Sequence, residues 1–471
     1  MSELNEHETS SARPSGMRAF FVMWIGQFVS LLGSAMTSFA IPIWVFGQTE
    51  RVQELALVGL AFMLPLILMS PVAGTIVDRN NRKMMMIVSD LASGLTTIAV
   101  LALVLTDSLQ IWHLYVTNFI NGAFQTFQWP AYSSAISVMI PKEQYGRVAG
   151  LNSLARNGSH IFAPLLAGAL LGVIGLQGIL IIDIVTFTVA VSTLLFIHVP
   201  NPPRTTEGQK GKGSIWQESA YGFQYIWQRP SLLGLQLVFL GGNFIVTIAF
   251  TVQAAMILAR TAQDATIFAW VSAAGAVGGV AGALLMSTWG GPKRRVHGVL
   301  MGWAITGILG TSLVGIGQSW PVWAVGFFIG TGIIPILNGS NQAIWQSKVA
   351  PDIQGRVFSI RRLIAWVSNP LARVLAIPLA DQLLEPAMQE GGSLVGTFGW
   401  LVGTGPGAGM GLIFVFSGVI ATIVGLCGYL VPAIRNVEDI LPDHDTMERV
   451  TEEEREEKEE KEEEVVKDVP L

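Results

Sequence analysis

Long apolar segments constrain this sequence more than any other feature. They run for about 20 residues each, which is the length at which an α-helix crosses the roughly 30 Å hydrocarbon core of a bilayer. Lipid offers the backbone no hydrogen-bond partners, so each segment must satisfy its own polar groups as a helix. We therefore predict an all-α integral membrane protein with twelve transmembrane helices. The predicted spans are residues 18–46, 54–76, 84–106, 111–140, 148–173, 175–198, 231–259, 264–288, 296–317, 320–348, 357–384 and 409–434.

The composition excludes a soluble globular protein of this length. Hydrophobic residues make up 51% of the 471 residues and charged residues only 13%, whereas soluble proteins carry about a quarter of their residues as charge. The segment before Met17 is polar and slightly acidic, with no basic n-region and no small-residue cleavage site, so we predict no signal peptide. Cys427, the single cysteine, is interpreted as a packing residue in the last span, since one cysteine cannot form a disulfide within the chain.

Basic residues are concentrated in the loops that follow even-numbered spans. Those loops contain Arg79, Arg82, Lys83, Lys142, Arg147, Arg204, Lys210, Lys212, Arg229, Lys293, Arg294, Arg295, Lys348 and Arg356. The loops after odd-numbered spans hold little beyond Arg51 and Arg260. Because an excess of Lys and Arg marks the cytoplasmic side, we predict a multi-pass protein of the cell (inner or plasma) membrane with both termini in the cytoplasm.

The C-terminal end carries a run of acidic residues. From Asn436 onward there are sixteen acidic and five basic residues, although the whole chain has a net charge of only −5. A run such as "TEEEREEKEEKEEE" is typical of a solvated helix or a disordered end. A partner-binding role for the tail is the alternative.

The sequence contains an internal repeat. "GRV" follows span 4 at Gly146 and follows span 10 at Gly355, in both cases after a proline and a short loop. The turn after span 2, "DRNNRK", has a counterpart after span 8 in "GGPKRR". Two matches in the same order indicate two pseudo-symmetric bundles of six helices, an arrangement that many transporters use to place a substrate site near the middle of the membrane.

The repeat divides the chain into regions. Between the two halves, Trp216, Ala220, Phe223 and Trp227 fall at helical spacing, which favours an interfacial helix on the membrane surface. The predicted regions are a cytoplasmic N-terminal segment (1–17), an N-terminal six-helix bundle (18–198), a cytoplasmic linker with this helix (199–230), a C-terminal six-helix bundle (231–434) and an acidic cytoplasmic tail (435–471).

The charged turn between spans 2 and 3, "GTIVDRNNRK", resembles the signature loop of the major facilitator superfamily, Gly-x-x-x-Asp-Arg-x-x-Arg-Lys. "WIGQFVSLLGSAMTSFAIPIW" in span 1 and "PKEQYGRV" after span 4 resemble the macrolide-efflux and enterobactin-exporter branch. The resemblance extends from about Met17 to Arg435. It implies the major facilitator fold and secondary-active export of hydrophobic or amphiphilic, macrolide- or siderophore-like molecules by alternating access.

The signature loop also implies a gate. Gly74 allows the end of span 2 to approach a neighbouring helix closely, and Asp78 suits a helix N-terminus, whose dipole favours an anion. In relatives the loop contacts the cytoplasmic start of the eleventh helix and holds the inner gate closed. Here that start reads "GRVFSIRRL", so we expect Arg361 or Arg362 to pair with Asp78.

The simpler interpretation of the loop is that its charges only set the topology. Arg79, Arg82 and Lys83 suffice for that purpose, but an acid contributes little to the rule. Asp78 is therefore the residue for which we predict a gating role.

Several ionisable residues lie within predicted spans, where a charge costs about 2.5–3.5 kcal/mol and marks a functional candidate. They include Arg156 and the five candidates for proton coupling, Asp183, Asp90, His160, Asp381 and Arg373. Asp183 is the first candidate, because a carboxylate in a pocket can exchange a proton and couple its entry to substrate exit; a static ion pair is the alternative. Arg373 would pair with such an acid or contact an anionic substrate, and packing is the simpler interpretation of His160.

Span 5 contains "SHIFAPLLAG", in which Ser159, Ala163, Pro164 and Gly168 resemble the Gly-x-x-x-Gly-Pro antiporter motif of drug exporters. Two glycines of that motif are replaced, by Ser159 and Ala163. Span 4 also lacks the arginine that many proton-coupled exporters carry there. The resemblance therefore favours export but leaves proton coupling open.

A pocket for bulky apolar ligands needs aromatic walls and a few placed polar groups. Spans 1, 4, 7 and 10 supply such residues. The predicted cavity residues are Gln27, Asn121, Phe124, Gln125, Trp129, Asn243, Phe244, Gln253, Asn338, Asn341 and Trp345. A contact between helices is the simpler interpretation of each one alone, so we expect only part of the set to line the cavity.

Other classes of protein find no support in the sequence. No nucleophile–base pair or metal cluster points to an enzyme, and no Gly-rich loop ending in Gly-Lys-Ser/Thr is present to bind ATP. We predict no cofactor, metal or nucleic acid, but a lipid bilayer, a small-molecule substrate and protons as partners, with a monomer sufficient. The alternatives are an importer or facilitator of a small metabolite, and a sensor or scaffold that acts through its acidic tail.

Overall fold

The computed structural model describes residues 16–49, 51–200, 202, 205 and 213–444. In these residues all of the regular structure is helical. Residues 1–15, the linker residues Arg204, Lys210 and Lys212, and the acidic tail beyond residue 444 lie outside the described residues.

The first half of the chain forms long helices. They are α1 (Gly16–Thr49), α2 (Val52–Arg79), α3 (Arg82–Leu105), α4 (Ile111–Met139) and α5 (Tyr145–Phe196). α5 is broken at Gly175, whose φ of 64° lies in the left-handed region that glycine adopts without a Cβ penalty. Lys83, at the start of α3, donates a hydrogen bond to the carbonyl of Leu195, so α5 returns after the break to the end of the bundle at which it starts. Its two segments correspond to predicted spans 5 and 6.

The second half repeats this pattern with more interruptions. Its helices are α6 (Ile215–Trp227), α7 (Pro230–Thr251), α8 (Gln253–Arg260), α9 (Ala265–Trp289), α10 (Arg295–Ile305, continued by a π-helical turn, Thr306–Ser312, and by Leu313–Ile316), α11 (Trp320–Lys348), α12 (Gln354–Pro378, continued by a π-helical turn, Leu379–Leu384), α13 (Glu385–Met388), α14 (Val395–Val402), α15 (Ala408–Leu430), α16 (Pro432–Arg435) and α17 (Val437–Ile440).

Each of the twelve predicted spans has a counterpart among these helices. Ten stretches of the described chain are long and apolar enough to cross a membrane, and one of them, Lys142–Phe196, contains two predicted spans. α4 is not among the ten, but its 29 residues pack against α2 and α3. The prediction of an all-α membrane fold is confirmed, and the count of twelve transmembrane helices stays a prediction.

The sequence did not predict α14, which lies between the last two spans. Its eight residues are too few to cross a bilayer, and glycines flank the segment, so no periodic signal marks it. Trp400 of this helix is 78% exposed.

Buried apolar side chains form two clusters in the first half, one at each end of the bundle. One contains Phe20 and Tyr145, and the other contains Met36 and Leu114. Between them lies a polar layer that includes Asp90 and Asp183. This layer holds the candidate site.

The two ends of the bundle differ in charge. The end where α2 finishes and α12 begins carries basic residues of both halves and is named the basic end; the opposite end is named the far end. The described basic residues there include Arg79, Arg82, Lys83, Lys142, Arg147, Arg229, Lys293, Arg294, Arg295, Lys348 and Arg356.

Candidate functional site

A cavity of about 570 Å³ lies in the polar layer of the first half. Its walls come from α1 to α5, and Arg362 of α12 is the described residue of the second half that lines it. The walls reach Val45 and Leu55 near the far end, and the opposite side is a floor that contains Trp129 and Arg156. The volume is in the range of pockets that bind drug-sized ligands.

Asp183 lies in the wall of the cavity within a set of hydroxyl groups. Its carboxylate accepts hydrogen bonds from Ser34 Oγ (2.9 Å), Thr37 Oγ1 (3.0 Å) and Thr97 Oγ1 (3.2 Å). The side chain is buried. It takes part in no ion pair with another described residue, so hydroxyl dipoles rather than a fixed cation stabilise it.

Asp90 is the second carboxylate of the cavity, and amide groups hold it. Gln27 Nε2 donates to Asp90 Oδ2 at 2.8 Å, and Gln128 Nε2 donates to Asp90 Oδ1 at 2.9 Å. Gln128 Nε2 also lies 3.1 Å from Gln27 Oε1. The sequence named Gln27 and Asp90 for different roles, and only the fold joins them in one network.

The floor of the cavity is basic and aromatic. The guanidinium of Arg156 lies 5.6 Å from the centre of the Trp129 ring, a cation–π arrangement. Arg362 lines the floor beside it, whereas Arg361 lies outside the cavity lining. Arg361 donates to Gln342 Oε1 at 2.8 Å and stacks over Trp345. Adjacent arginines of α12 therefore face different surroundings.

Whether a predicted cavity residue lines the cavity depends on the half of the chain to which it belongs. Gln27, Asn121, Gln125 and Trp129 of the first half line the cavity. Phe124 lies outside the lining and packs against Phe127, with ring centres 6.4 Å apart.

The predicted cavity residues of the second half also lie outside this lining. They are Asn243, Phe244, Gln253, Asn338, Asn341 and Trp345. Asn243 donates to the carbonyl of Phe239 at 2.9 Å, and Trp345 Nε1 donates to Asn341 Oδ1 at 3.1 Å. Each of these two hydrogen bonds lies within a single helix of the second half.

Three coupling candidates and the antiporter-like motif also lie away from the cavity lining. His160, Arg373 and Asp381 are exposed at the surface of the helices. Of the motif residues Ser159, Ala163, Pro164 and Gly168, the first two are buried, Pro164 is inside α5, and Gly168 has open space where a Cβ would point. The geometry leaves Asp183 and Asp90 as the predicted acids that reach the cavity.

At the basic end, Asp78 of α2 binds the first turn of α12. Its carboxylate accepts hydrogen bonds from the backbone N–H groups of Gly355 (2.8 Å) and Arg356 (2.9 Å) and from Arg356 Nε (3.3 Å). The carboxylate is fully buried. An anion is stabilised there by the backbone N–H groups that donate to it and by the helix dipole. Gly74 is required nearby, because a Cβ on it would collide with the carbonyl of Gly355.

The partner of Asp78 differs from the predicted one. Arg356 rather than Arg361 or Arg362 makes the ion pair. The two predicted arginines lie five and six residues further along α12, more than one turn away, and therefore reach the level of the cavity instead of the loop.

Further hydrogen bonds join the two halves at the basic end. Arg82 donates to the carbonyls of Ser134 and Pro351, and Gln342 Nε2 donates to Ser133 Oγ at 2.8 Å. Arg82 is almost fully buried, so it does more than set the topology. We name the contacts of Asp78, Arg82 and Gln342 the basic-end closure.

Glu218 of the linker helix α6 supports this closure. It accepts hydrogen bonds from Arg79 Nη2 (2.9 Å) and Arg79 Nε (3.2 Å) and lies 3.7 Å from Arg356 Nη1. Burial opposes the charge of Glu218, but its hydrogen bonds with Arg79 and Gly213 and the charges of the two arginines outweigh burial and lower its pKa. The sequence predicted a helix in this segment. Glu218, the single acidic residue of that helix, was not among the predicted functional residues.

We expect Glu218→Gln to destabilise the protein at neutral pH. The lowered pKa of Glu218 means that its charge stabilises the folded state above the ordinary value of 4.5 and that this stabilisation is lost as the pH falls through the folded pKa. Thermal unfolding in detergent should therefore show a lower midpoint for the variant at pH 7 and a smaller difference at pH 4. Glu143→Gln, at an exposed acid of the loop before α5, is the matched control. Equal midpoints at pH 7 would contradict the role assigned to Glu218.

The segment after α16 crosses the basic end. Asp443 pairs with Lys348 (2.9 Å) at the end of α11 and with Lys142 (3.3 Å) in the loop after α4. Burial alone would raise the pKa of Asp443, but its two lysine partners lower it. Glu438 accepts from the backbone N–H groups at the start of α10, including that of Val296 at 2.9 Å. Residues 437–444 thus tie equivalent ends of the two halves together.

The fold and the site define a helical membrane protein of two six-helix bundles that encloses a small-molecule cavity. The chain belongs to the Major Facilitator Superfamily, whose family model matches residues 23–372. Members of this superfamily are transporters that act on small molecules within the membrane, and they are not enzymes. The family identified from the signature loop is confirmed.

Similar proteins include two groups of bacterial relatives and several solved structures. "Macrolide efflux protein A" of Streptococcus pyogenes is 26% identical over 77% of this chain and 90% of its own. "Multidrug efflux pump Tap" of Mycolicibacterium fortuitum is 26% identical over 74% of this chain and 86% of its own. A bacterial homologue of the iron transporter ferroportin (TM-score 0.62, 13% identity, 87% of this chain and 99% of that one) and the E. coli fucose:proton symporter (TM-score 0.63, 11% identity, 87% and 98%) share the fold.

Proposed function

We propose that the chain is a secondary-active exporter of hydrophobic or amphiphilic small molecules, driven by proton antiport, in the inner (plasma) membrane of a bacterial cell. Relatives named as macrolide and multidrug efflux proteins match about three quarters of the chain. The cavity, with aromatic walls and amide groups from Gln27, Asn121 and Gln125, is of the kind that accepts varied compounds.

The proposed orientation places the basic end in the cytoplasm, as the excess of Lys and Arg requires. The basic-end closure then separates the cavity from the cytoplasm, while the cavity extends to Val45 and Leu55 near the outer surface. Export would alternate between this arrangement and one in which Asp78 leaves the start of α12 and the two halves separate at the basic end.

One observation supports the proposed coupling to protons, namely the three hydroxyl groups that donate hydrogen bonds to the carboxylate of Asp183. A hydroxyl group can donate to a carboxylate and, after rotation, accept from a carboxylic acid. Ser34, Thr37 and Thr97 therefore satisfy Asp183 in both protonation states, and no buried cation is left unpaired when the proton arrives. An acid in a static ion pair would lack this property.

The test uses the purified chain in proteoliposomes with an acidic interior. Proton efflux should drive a labelled macrolide and a fluorescent hydrophobic cation into the vesicles, and collapsing the gradient with an ionophore should release them. A chain that ends at residue 444 should behave in the same way, because transport does not require the acidic tail. Absence of gradient-dependent movement of either compound would overturn the export proposal and favour a sensor, a scaffold or a transporter of another substrate class.

A further inference from the structure

The cavity floor carries two arginines that face it from different halves of the chain. Arg156 lies eleven residues after the start of α5, and Arg362 lies eight residues after the start of α12. At the helical rise per residue, both are about 12–17 Å above the basic end. Both line the cavity, and the two guanidinium groups are close enough to repel each other.

The carboxylates of the cavity do not neutralise Arg156. Asp90 is held by amides and Asp183 by hydroxyls. Within the described chain no hydrogen-bond or ion-pair partner of Arg156 is found, and its guanidinium instead lies over the ring of Trp129. Arg156 is exposed in the lining of the cavity, and a cation–π contact engages the face of the guanidinium, not its N–H groups. Arg156 therefore has N–H donors without acceptors among the described residues of the cavity. The positive charge of Arg362 beside it further favours the binding of an anion there.

Resting on the proposed export function, we propose that this floor binds the carboxylate of an amphiphilic substrate. A guanidinium matches a carboxylate with two parallel hydrogen bonds and gains strength from the charge of both partners. Leu31 and Phe62 lie further along the cavity wall and offer apolar surface to the rest of such a molecule. The site thus takes a monocarboxylate with an apolar body that fits a cavity of about 570 Å³.

The position of the two arginines also links binding to the state of the transporter. Arg156 belongs to the first half and Arg362 to the second. A carboxylate held by both bridges the halves near the basic-end closure and stabilises the closed arrangement. Separation of the halves at that end splits the pair and weakens the site.

The test compares two dyes that differ only in whether the carboxylate is free, namely tetramethylrhodamine as the free acid and its methyl ester. Binding is measured by fluorescence anisotropy with the full chain in lipid nanodiscs, after subtraction of the signal from empty nanodiscs. We expect the acid to bind about tenfold or more tightly than the ester, and Arg156→Met and Arg362→Met each to remove most of that preference. Arg362→Lys should keep part of it. Arg18→Met, at an exposed residue outside the cavity lining, should leave both affinities unchanged.

The ester controls for folding and separates this inference from the proposed function. Variants that bind the ester normally but have lost the preference for the acid support the anion site. Equal affinities of the two dyes for the unaltered chain, or equal losses for both dyes in the arginine variants, would overturn it, even if proteoliposomes still accumulate the ester. If neither dye nor the macrolide is moved by a pH gradient while the preference for the acid remains, the export proposal fails and the binding site stands.

Discussion

Asp78→Asn should open the basic end and abolish export. The carboxylate accepts three hydrogen bonds from the start of α12, and two of the donors are backbone N–H groups of its first turn. An amide presents only one oxygen to them and turns an NH2 group toward the other donor. Loss of charged hydrogen bonds worth about 1.5–3 kcal/mol corresponds to about tenfold or more in the ratio of closed to open molecules.

The opening can be measured by cysteine labelling. Ser359 is buried where α2 meets α12, and its carbonyl accepts from Ser70. Ser359→Cys in a Cys427→Ala background provides one thiol whose reaction with N-ethylmaleimide reports separation of the halves. We expect slow labelling in the parent, about tenfold or more faster labelling with Asp78→Asn, and the parent rate with Asp107→Asn, an exposed acid at the far end. Unchanged labelling and unchanged transport in Asp78→Asn would remove Asp78 from the gate.

The local physics of the signature loop could be predicted from the sequence. A glycine at a close approach and an acid at a helix N-terminus are properties of one residue and its immediate partner, and the structure shows both at Gly74 and Asp78. The prediction that Arg361 or Arg362 pairs with Asp78 was wrong, because it rested on side-chain charge alone and ignored how far along α12 each arginine lies. The N–H groups at its first residues are nearer, and Arg356 is the cation that shares their turn.

The position of the cavity could not be predicted in the same way. A polar residue on the inner face of a membrane helix satisfies either a ligand or a neighbouring helix, and the sequence pattern is the same for both. In the second half the interior between helices is filled by aromatic side chains, such as Phe250 and Phe414 on either side of Phe327, with ring centres 5.6 and 6.1 Å from that of Phe327. Such filling depends on how helices distant in sequence pack, which a single sequence does not reveal.

The carboxylate networks show the same limit. Gln27, Asp90 and Gln128 come from three helices and meet only because those residues lie at one depth. The sequence marked Asp183 as a costly acid within a span, but the three hydroxyl groups around it are ordinary residues of α1 and α3. What distinguishes this acid from one in an ion pair is therefore visible only in the fold.

Asp183→Asn should uncouple transport from the proton gradient while leaving the fold and the cavity intact. Asparagine has nearly the same shape, and Ser34, Thr37 and Thr97 can donate to its oxygen and accept from its NH2 group. It cannot bind and release a proton, so accumulation of the macrolide in proteoliposomes with an acidic interior should fall to the level seen without a gradient. Exchange of labelled for unlabelled macrolide at equal pH, which needs no proton, should continue.

Two further variants make the assignment specific. Asp90→Asn changes the other acid of the cavity, whose two oxygens each accept from an amide N–H of Gln27 or Gln128, and gradient-driven accumulation should persist with it. Asp107→Asn, outside the cavity, should match the parent in both assays. Accumulation that survives Asp183→Asn but is lost with Asp90→Asn would move the proton site to Asp90, because the amide network would then be the one that changes its protonation during transport. Loss of exchange as well as accumulation in Asp183→Asn would instead make Asp183 part of the substrate site.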